Sequence, residues 1–126
     1  MEAGSYRVSR DGITLEARAA ALDEGLTVTV GGGRSHIGSV AIAQPRPSLR
    51  GDGSVSCTCS VWNQPGHKDE AVARPVAERL CRALNTVVVV TAGVLLPGAD
   101  AARIEAVERL AEELAEKLLE DKKPAG

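Results

Sequence analysis

The chain predicts an α+β domain: a mostly antiparallel sheet of about five strands, in the order β-β-β-β-α-β-α, with two helices on one face. Three observations carry this prediction. Apolar and polar residues alternate with period two through the first half of the chain. Val87 to Val90 form an all-apolar run that suits a central strand covered at least partly on both sides. Two stretches in the second half repeat apolar residues every three to four positions, as amphipathic helices do. A length of 126 residues suits one domain, 1–126, with a real core. Its ends, 1–11 and 122–126, are expected to fray.

The first strand is read from Gly12 to Asp23, where Ile13, Leu15, Ala17, Ala19 and Ala21 alternate with Thr14, Glu16 and Arg18. Asp23-Glu24-Gly25 is a turn signal, and Leu26, Val28 and Val30 alternate after it, so these two strands form an antiparallel hairpin. Ser39 to Ala43 is the third strand, and Pro45 and Pro47 are expected to stop its ladder. Val55 to Trp62 is the fourth, with Val55, Cys57, Cys59 and Val61 on one face and Ser54, Ser56, Thr58, Ser60 and Trp62 on the other. Cys57 and Cys59 sit between valines as small buried hydrophobes, which favours a core role over soft-metal binding. After Asn63-Gln64-Pro65-Gly66, a helix starts near His67-Lys68-Asp69-Glu70. Its apolar face is Val72, Val76, Leu80 and Leu84, with a kink or restart expected at Pro75. Thr86 to Val94 is the central strand. The last helix, about Ala101 to Asp121, carries Ile104, Val107, Ala111, Leu114 and Leu118, with Leu110 and Leu119 widening the stripe enough to admit a partner helix.

Composition excludes several classes of function. A formal net charge of -2 and only one Trp, one Tyr and no Phe do not suit a nucleic-acid binder, which presents a basic face with stacking aromatics. No apolar run approaches the roughly 20 residues that span a bilayer, and Met1-Glu2-Ala3-Gly4 is no signal region, so a cytoplasmic protein without membrane attachment is expected. Three cysteines, an odd number, do not suggest a disulfide framework.

The chemistry-bearing stretch is Gly31-Gly32-Gly33-Arg34-Ser35-His36-Ile37-Gly38. Consecutive N–H groups of a glycine-dense turn can cup an anion, with Arg34 adding charge and Ser35 a hydroxyl, so a phosphate is the natural guest. The stretch is not an ordinary nucleotide loop: Ser39 follows Gly38 where lysine would stand, and His36 takes the last glycine place of G-x-G-x-x-G. A plain glycine-rich connection accounts for it equally well. His67 and Lys68 at a helix start also suit an anion, although both equally suit a solvated helix start. His36 and His67 are the candidate metal ligands, with Asp69 and Glu70 nearby in sequence, so a small metal-dependent enzyme stays open. So does a structural subunit without ligand. The Thr- and Ser-rich second face of the sheet, which includes Thr27, Thr29 and Trp62, is expected to meet solvent, a ligand or a second copy, and a sheet-mediated homodimer is the preferred assembly.

Gly31-Gly32 with His36-Ile37-Gly38-Ser39-Val40, then His67-Lys68-Asp69, then Val90-Thr91-Ala92-Gly93-Val94 resemble, in order and spacing, the LpdD-like family. The resemblance runs from about Thr14 to the end of the last helix. Members accompany UbiD-type decarboxylases, gallate decarboxylases among them, as accessory proteins and are regarded as chaperones for prenylated FMN. The resemblance implies a non-catalytic carrier of prenylated FMN or FMN, with a divalent metal bridging the phosphate as an option. The residues expected to face the cofactor are Gly32, Gly33, Arg34, Ser35, His36, Ile37, Gly38, Trp62, His67, Lys68, Thr91, Ala92 and Gly93. One departure stands out: two residues after the glycine of Thr-Ala-Gly the family commonly has histidine, and this chain has Leu95.

Overall fold

The computed structural model describes the backbone of residues 1–66, 69–95, 98 and 100–122. His67, Lys68 and the expected fraying of 123–126 therefore lie outside the described residues. Six strands form one sheet in the order β1-β2-β3-β6-β4-β5, comprising β1 (Glu2–Arg10), β2 (Ile13–Leu22), β3 (Gly25–Gly33), β4 (Ser39–Pro47), β5 (Val55–Asn63) and β6 (Val88–Leu95). Every neighbouring pair is antiparallel except β3–β6. Two helices, α1 (Glu70–Leu84) and α2 (Ala101–Lys122), complete the α+β domain, and no helix among the described residues is long and apolar enough to cross a membrane.

The extra strand is β1, in the stretch expected to fray. Arg10 pairs with Ile13 across Asp11-Gly12, and both turn residues take positive φ, 53° and 77°. This is the Asp-Gly hairpin turn whose twist matches that of its strands. The strand is then tied down from above: Lys117 Nζ donates to the Arg7 carbonyl at 2.9 Å, Arg10 pairs with Glu113 at 2.5 Å, and the Tyr6 hydroxyl donates to Asp121.

One sheet face holds Ile13, Leu15, Ala17, Val28, Val30, Ala41, Ala43, Val88 and Val90, all buried, and both helices lie on it. α1 packs over β4, β5 and β6, whereas α2 packs over β1, β2 and α1. Alanines at 41 and 43 let α1 approach β4 closely. The larger residues of that strand, Val40 and Ile42, consequently point to the other face. In α2, Val107, Leu110, Ala111, Leu114, Leu118 and Leu119 are buried within the domain while Ile104 is exposed, so the stripe is spent on the chain's own core rather than on a partner helix.

Two local expectations are corrected by tertiary context. Pro75 lies inside one uninterrupted α1 that does not restart there. It removes a single helical donor, and Val72, Ala73, Val76, Ala77 and Leu80 hold both sides of it in the core. Pro45 and Pro47 do not end β4, whose pairing with β5 continues to Pro47↔Val55. The β6 ladder stops at Ala43, so beyond it one side of β4 has no partner and a missing N–H costs nothing there.

Candidate functional site

Gly31 to Gly33 are the last residues of β3, paired with Gly93, Val94 and Leu95 of β6, and not the turn expected from their composition. Of these glycines only Gly33 takes a positive φ, 61°. The others are required by close approach. A side chain on Gly32 would strike Leu15 and the Thr14 carbonyl, so this glycine faces the core and not a ligand. Gly31 and Gly93 are cross-strand partners on the face that the helices leave open. The connection from Arg34 to Gly38 folds back over them, with Ser35 seated on Gly31 and the His36 backbone on Gly93.

Two donors expected to cup an anion are consumed by this arrangement. Gly38 N–H donates to the Ala92 carbonyl at 2.9 Å, and Arg34 N–H to the Leu95 carbonyl at 3.3 Å. The anion at the end of the sheet is instead the protein's own carboxylate. Asp69, only 8% exposed, accepts the Val94 N–H at 2.9 Å through Oδ1 and faces His36 Nε2 at 3.3 Å through Oδ2. A side chain on Gly38 would overlap that carboxylate, which is why glycine stands there. His36 Nδ1–H donates to the Arg34 carbonyl at 3.0 Å, so both ring nitrogens face oxygens, and a metal at His36 would have to displace one of them. Among the described residues no group of three potential metal ligands occurs.

Asp69 is the residue that sequence reasoning undervalues. It occupies the N-cap of α1, and its backbone carbonyl accepts Val72 and Ala73 N–H. An aspartate before an apolar helical repeat is a capping signal. That its side chain serves β6 instead of its own helix is decided by the fold. Around it runs a polar frame: the Ser39 hydroxyl donates to Asn63 Oδ1 at 2.5 Å, Asn63 Nδ2 to Glu70 at 2.9 Å, and Arg74 Nε to Glu70 at 3.0 Å. The hydrogen bonds from Asn63 and then Arg74 hold the Glu70 carboxyl below its usual range.

The open face completes the site. Trp62, Val40, Thr91 and Thr29 form one cross-strand row over β5, β4, β6 and β3, and the Thr91 hydroxyl meets that of Thr29 at 3.2 Å. Gly31 and Gly93 lie two residues further along β3 and β6, so the folded-back connection stands as a step beside this row. Trp62 is 55% exposed and Ile37 57%. Arg34 and Ser35 are exposed on the step, whereas Gly93 is buried beneath it and Gly38 is buried against Asp69. Ala92 turns its methyl into the core. Leu95 is exposed at the end of β6. The structure thus gathers Arg34, Ser35, His36, Ile37, Thr91, Gly93 and, along the row, Trp62.

A six-stranded, mostly antiparallel sheet with both helices on one face and a step of backbone on the other defines a small α+β domain. The sequence matches the prenylated flavin chaperone LpdD-like domain over residues 9–123, and the chain belongs to that family. No curated protein matches it. Among solved structures it is similar to a chain of a novel chaperone complex for yeast 20S proteasome assembly, with 18% identity over 95% of each chain and a TM-score of 0.63. At that identity the likeness is one of fold.

Proposed function

We propose that this protein is a non-catalytic chaperone that binds prenylated FMN, or FMN, and supplies or protects it for a UbiD-type decarboxylase, acting as a homodimer. The observation that carries the reading is the family match over 9–123. The step on the open face is consistent with it. A flavin phosphate needs a fixed cation and several donors, and Arg34 and Ser35 offer these from exposed positions on the step. The ring system needs a flat apolar support, which Trp62, Val40 and Ile37 supply. Bound there, the cofactor would be carried and not used, its decarboxylation chemistry being supplied to the partner enzyme.

The test is purification after co-expression with a flavin prenyltransferase, followed by the ultraviolet-visible spectrum and native mass. A flavin-sized adduct is expected, and Arg34→Ala should release it. Absence of any adduct, with no uptake of added cofactor, would overturn the proposal. Metal analysis of the same sample decides the bridging-metal option.

A further inference from the structure

The two edges of the sheet are built differently. β1 is guarded by Glu2, Arg7 and Arg10, while β5, Val55 to Asn63, is nine residues long and has no charged residue and no proline. Among the described residues no backbone group pairs with its outer side. A long, uncharged, strand-forming edge is a template for another strand, and proteins that leave one open normally guard it.

Beside this edge α1 carries Glu70, Arg74, Glu78 and Arg82, one residue every four, joined as the intrahelical pairs Glu70–Arg74 at 3.0 Å and Glu78–Arg82 at 3.6 Å. The row follows β5 closely: Asn63 bonds Glu70, whereas Glu78 and Arg82 lie 4.0 Å and 3.9 Å from Cys57 Sγ. The charges alternate −, +, −, +. Reversed by a two-fold axis, the row reads +, −, +, −, so Glu70 meets Arg82 of a second copy and Arg74 meets Glu78. The centre of the row falls between Arg74 and Glu78. On the strand the midpoint between Glu70's partner Asn63 and the lower end of β5 is Cys59, and Arg74 and Glu78 are both charges that act on that thiol. One axis therefore serves strand and helix together.

We propose that β5 pairs antiparallel with β5 of a second copy, centred on Cys59, to make one continuous sheet whose two α1 helices lie side by side. Cys57 then faces Val61, Thr58 faces Ser60 and Ser56 faces Trp62 of the other copy. Because α1 lies over β4, one strand spacing inside the edge, the helix axes are about 14 Å apart, a gap that Arg and Glu side chains bridge. The open face stays free for ligand. The inference rests on the edge and the charge row, and stands or falls independently of the flavin reading.

Sedimentation equilibrium tests it. The wild-type protein is expected to be a dimer. Arg74→Glu and Glu78→Arg each place like charges opposite one another twice, and each should raise the dimer dissociation constant about tenfold or more. Mixed together, the two variants should form a heterodimer, because the introduced glutamate of one then meets the introduced arginine of the other, and the unchanged Glu78 of the first meets the unchanged Arg74 of the second. This recovery also shows that both are folded. Copper-phenanthroline oxidation, which takes one electron and one proton from each Cys59 thiol, should link the wild type into a covalent dimer, since antiparallel partners stand about 4.5–5.5 Å apart between Cα atoms, within disulfide range. Cys59→Ser should abolish the link and Cys57→Ser should not. A monomer at the highest attainable concentration would overturn the proposal. So would a dimer that neither charge variant weakens and that Cys59 does not link, which would place the interface elsewhere, on the open face for instance.

Discussion

Gly93→Ala isolates the step from the rest of the molecule. The added methyl would coincide with the His36 carbonyl, and even the third-nearest atom, His36 N, would be only 2.9 Å away, whereas ordinary contact begins at 3.4 Å. These are backbone atoms, so the obstacle cannot swing aside as a flexible side chain does. The His36 peptide must retreat by more than about 1 Å, which strains the connection and pulls Gly38 N–H from Ala92 and His36 from Asp69. Overpacking of this kind costs about 1–3 kcal/mol and the lost hydrogen bond about 1 kcal/mol, so a loss of about 3 kcal/mol is expected, or roughly 10 °C in Tm for a domain of this size. Gly4→Ala is the control: its methyl meets the far end of the Tyr6 ring at 2.9 Å, which can yield, and the change should cost under about 1 kcal/mol. Urea denaturation of both variants measures the difference. Gly93→Ala as stable as Gly4→Ala would refute the claim that the connection is seated on Gly93.

Asp69→Ala should cost about 1–3 kcal/mol by leaving the Val94 N–H without its acceptor, while Asp69→Asn keeps Oδ1 and should cost less; parallel chemical denaturation ranks the two. Burial pushes the Cys81 thiol up to about 11, so Ellman's reagent at pH 8 should leave Cys81 unmodified until the chain unfolds. The unfolded chain releases that proton near its ordinary value and the folded chain near 11. The associated stability, about 3 kcal/mol, is therefore complete below pH 9 and lost as pH rises to 11, which denaturation across that range would register. Burial, followed by the Asp121 hydrogen bond and charge, pushes Tyr6 up to about 12. As Tyr6 is the sole tyrosine, absorbance at 295 nm reads it directly: the native protein should show almost no tyrosinate at pH 10.5, and a midpoint near 10 would place β1 free of α2.

Much of the scaffold is legible in the sequence because it is written in short-range pattern. The alternation of β2, β3 and β5 and the helical repeats of α1 and α2 each report a local choice between two periodicities, and burial follows them, whereas in the valine run only Val88 and Val90 are fully buried and Val87 lies exposed outside β6. β1 escapes such a reading although Asp11-Gly12 announces a hairpin, because only Tyr6 and Val8 mark its inward side and its stability comes from α2, which lies about a hundred residues away in sequence.

The sequence by itself determined the α+β class, the run of the elements from β2 onward and, through its motifs, the membership in a flavin-chaperone family that the match over 9–123 bears out. Only the tertiary structure decided what the glycines are for. Conformational freedom and freedom from a side chain look the same in a sequence. In the fold Gly33 uses the first, while Gly31, Gly38 and Gly93 use the second, to let one stretch of backbone lie on another. The same holds for Asp69, a helix cap by sequence and a clasp between β6 and His36 in the structure. It holds too for the edge of β5, since which strand ends a sheet is a property of strand order, which β6 sets by inserting between β3 and β4.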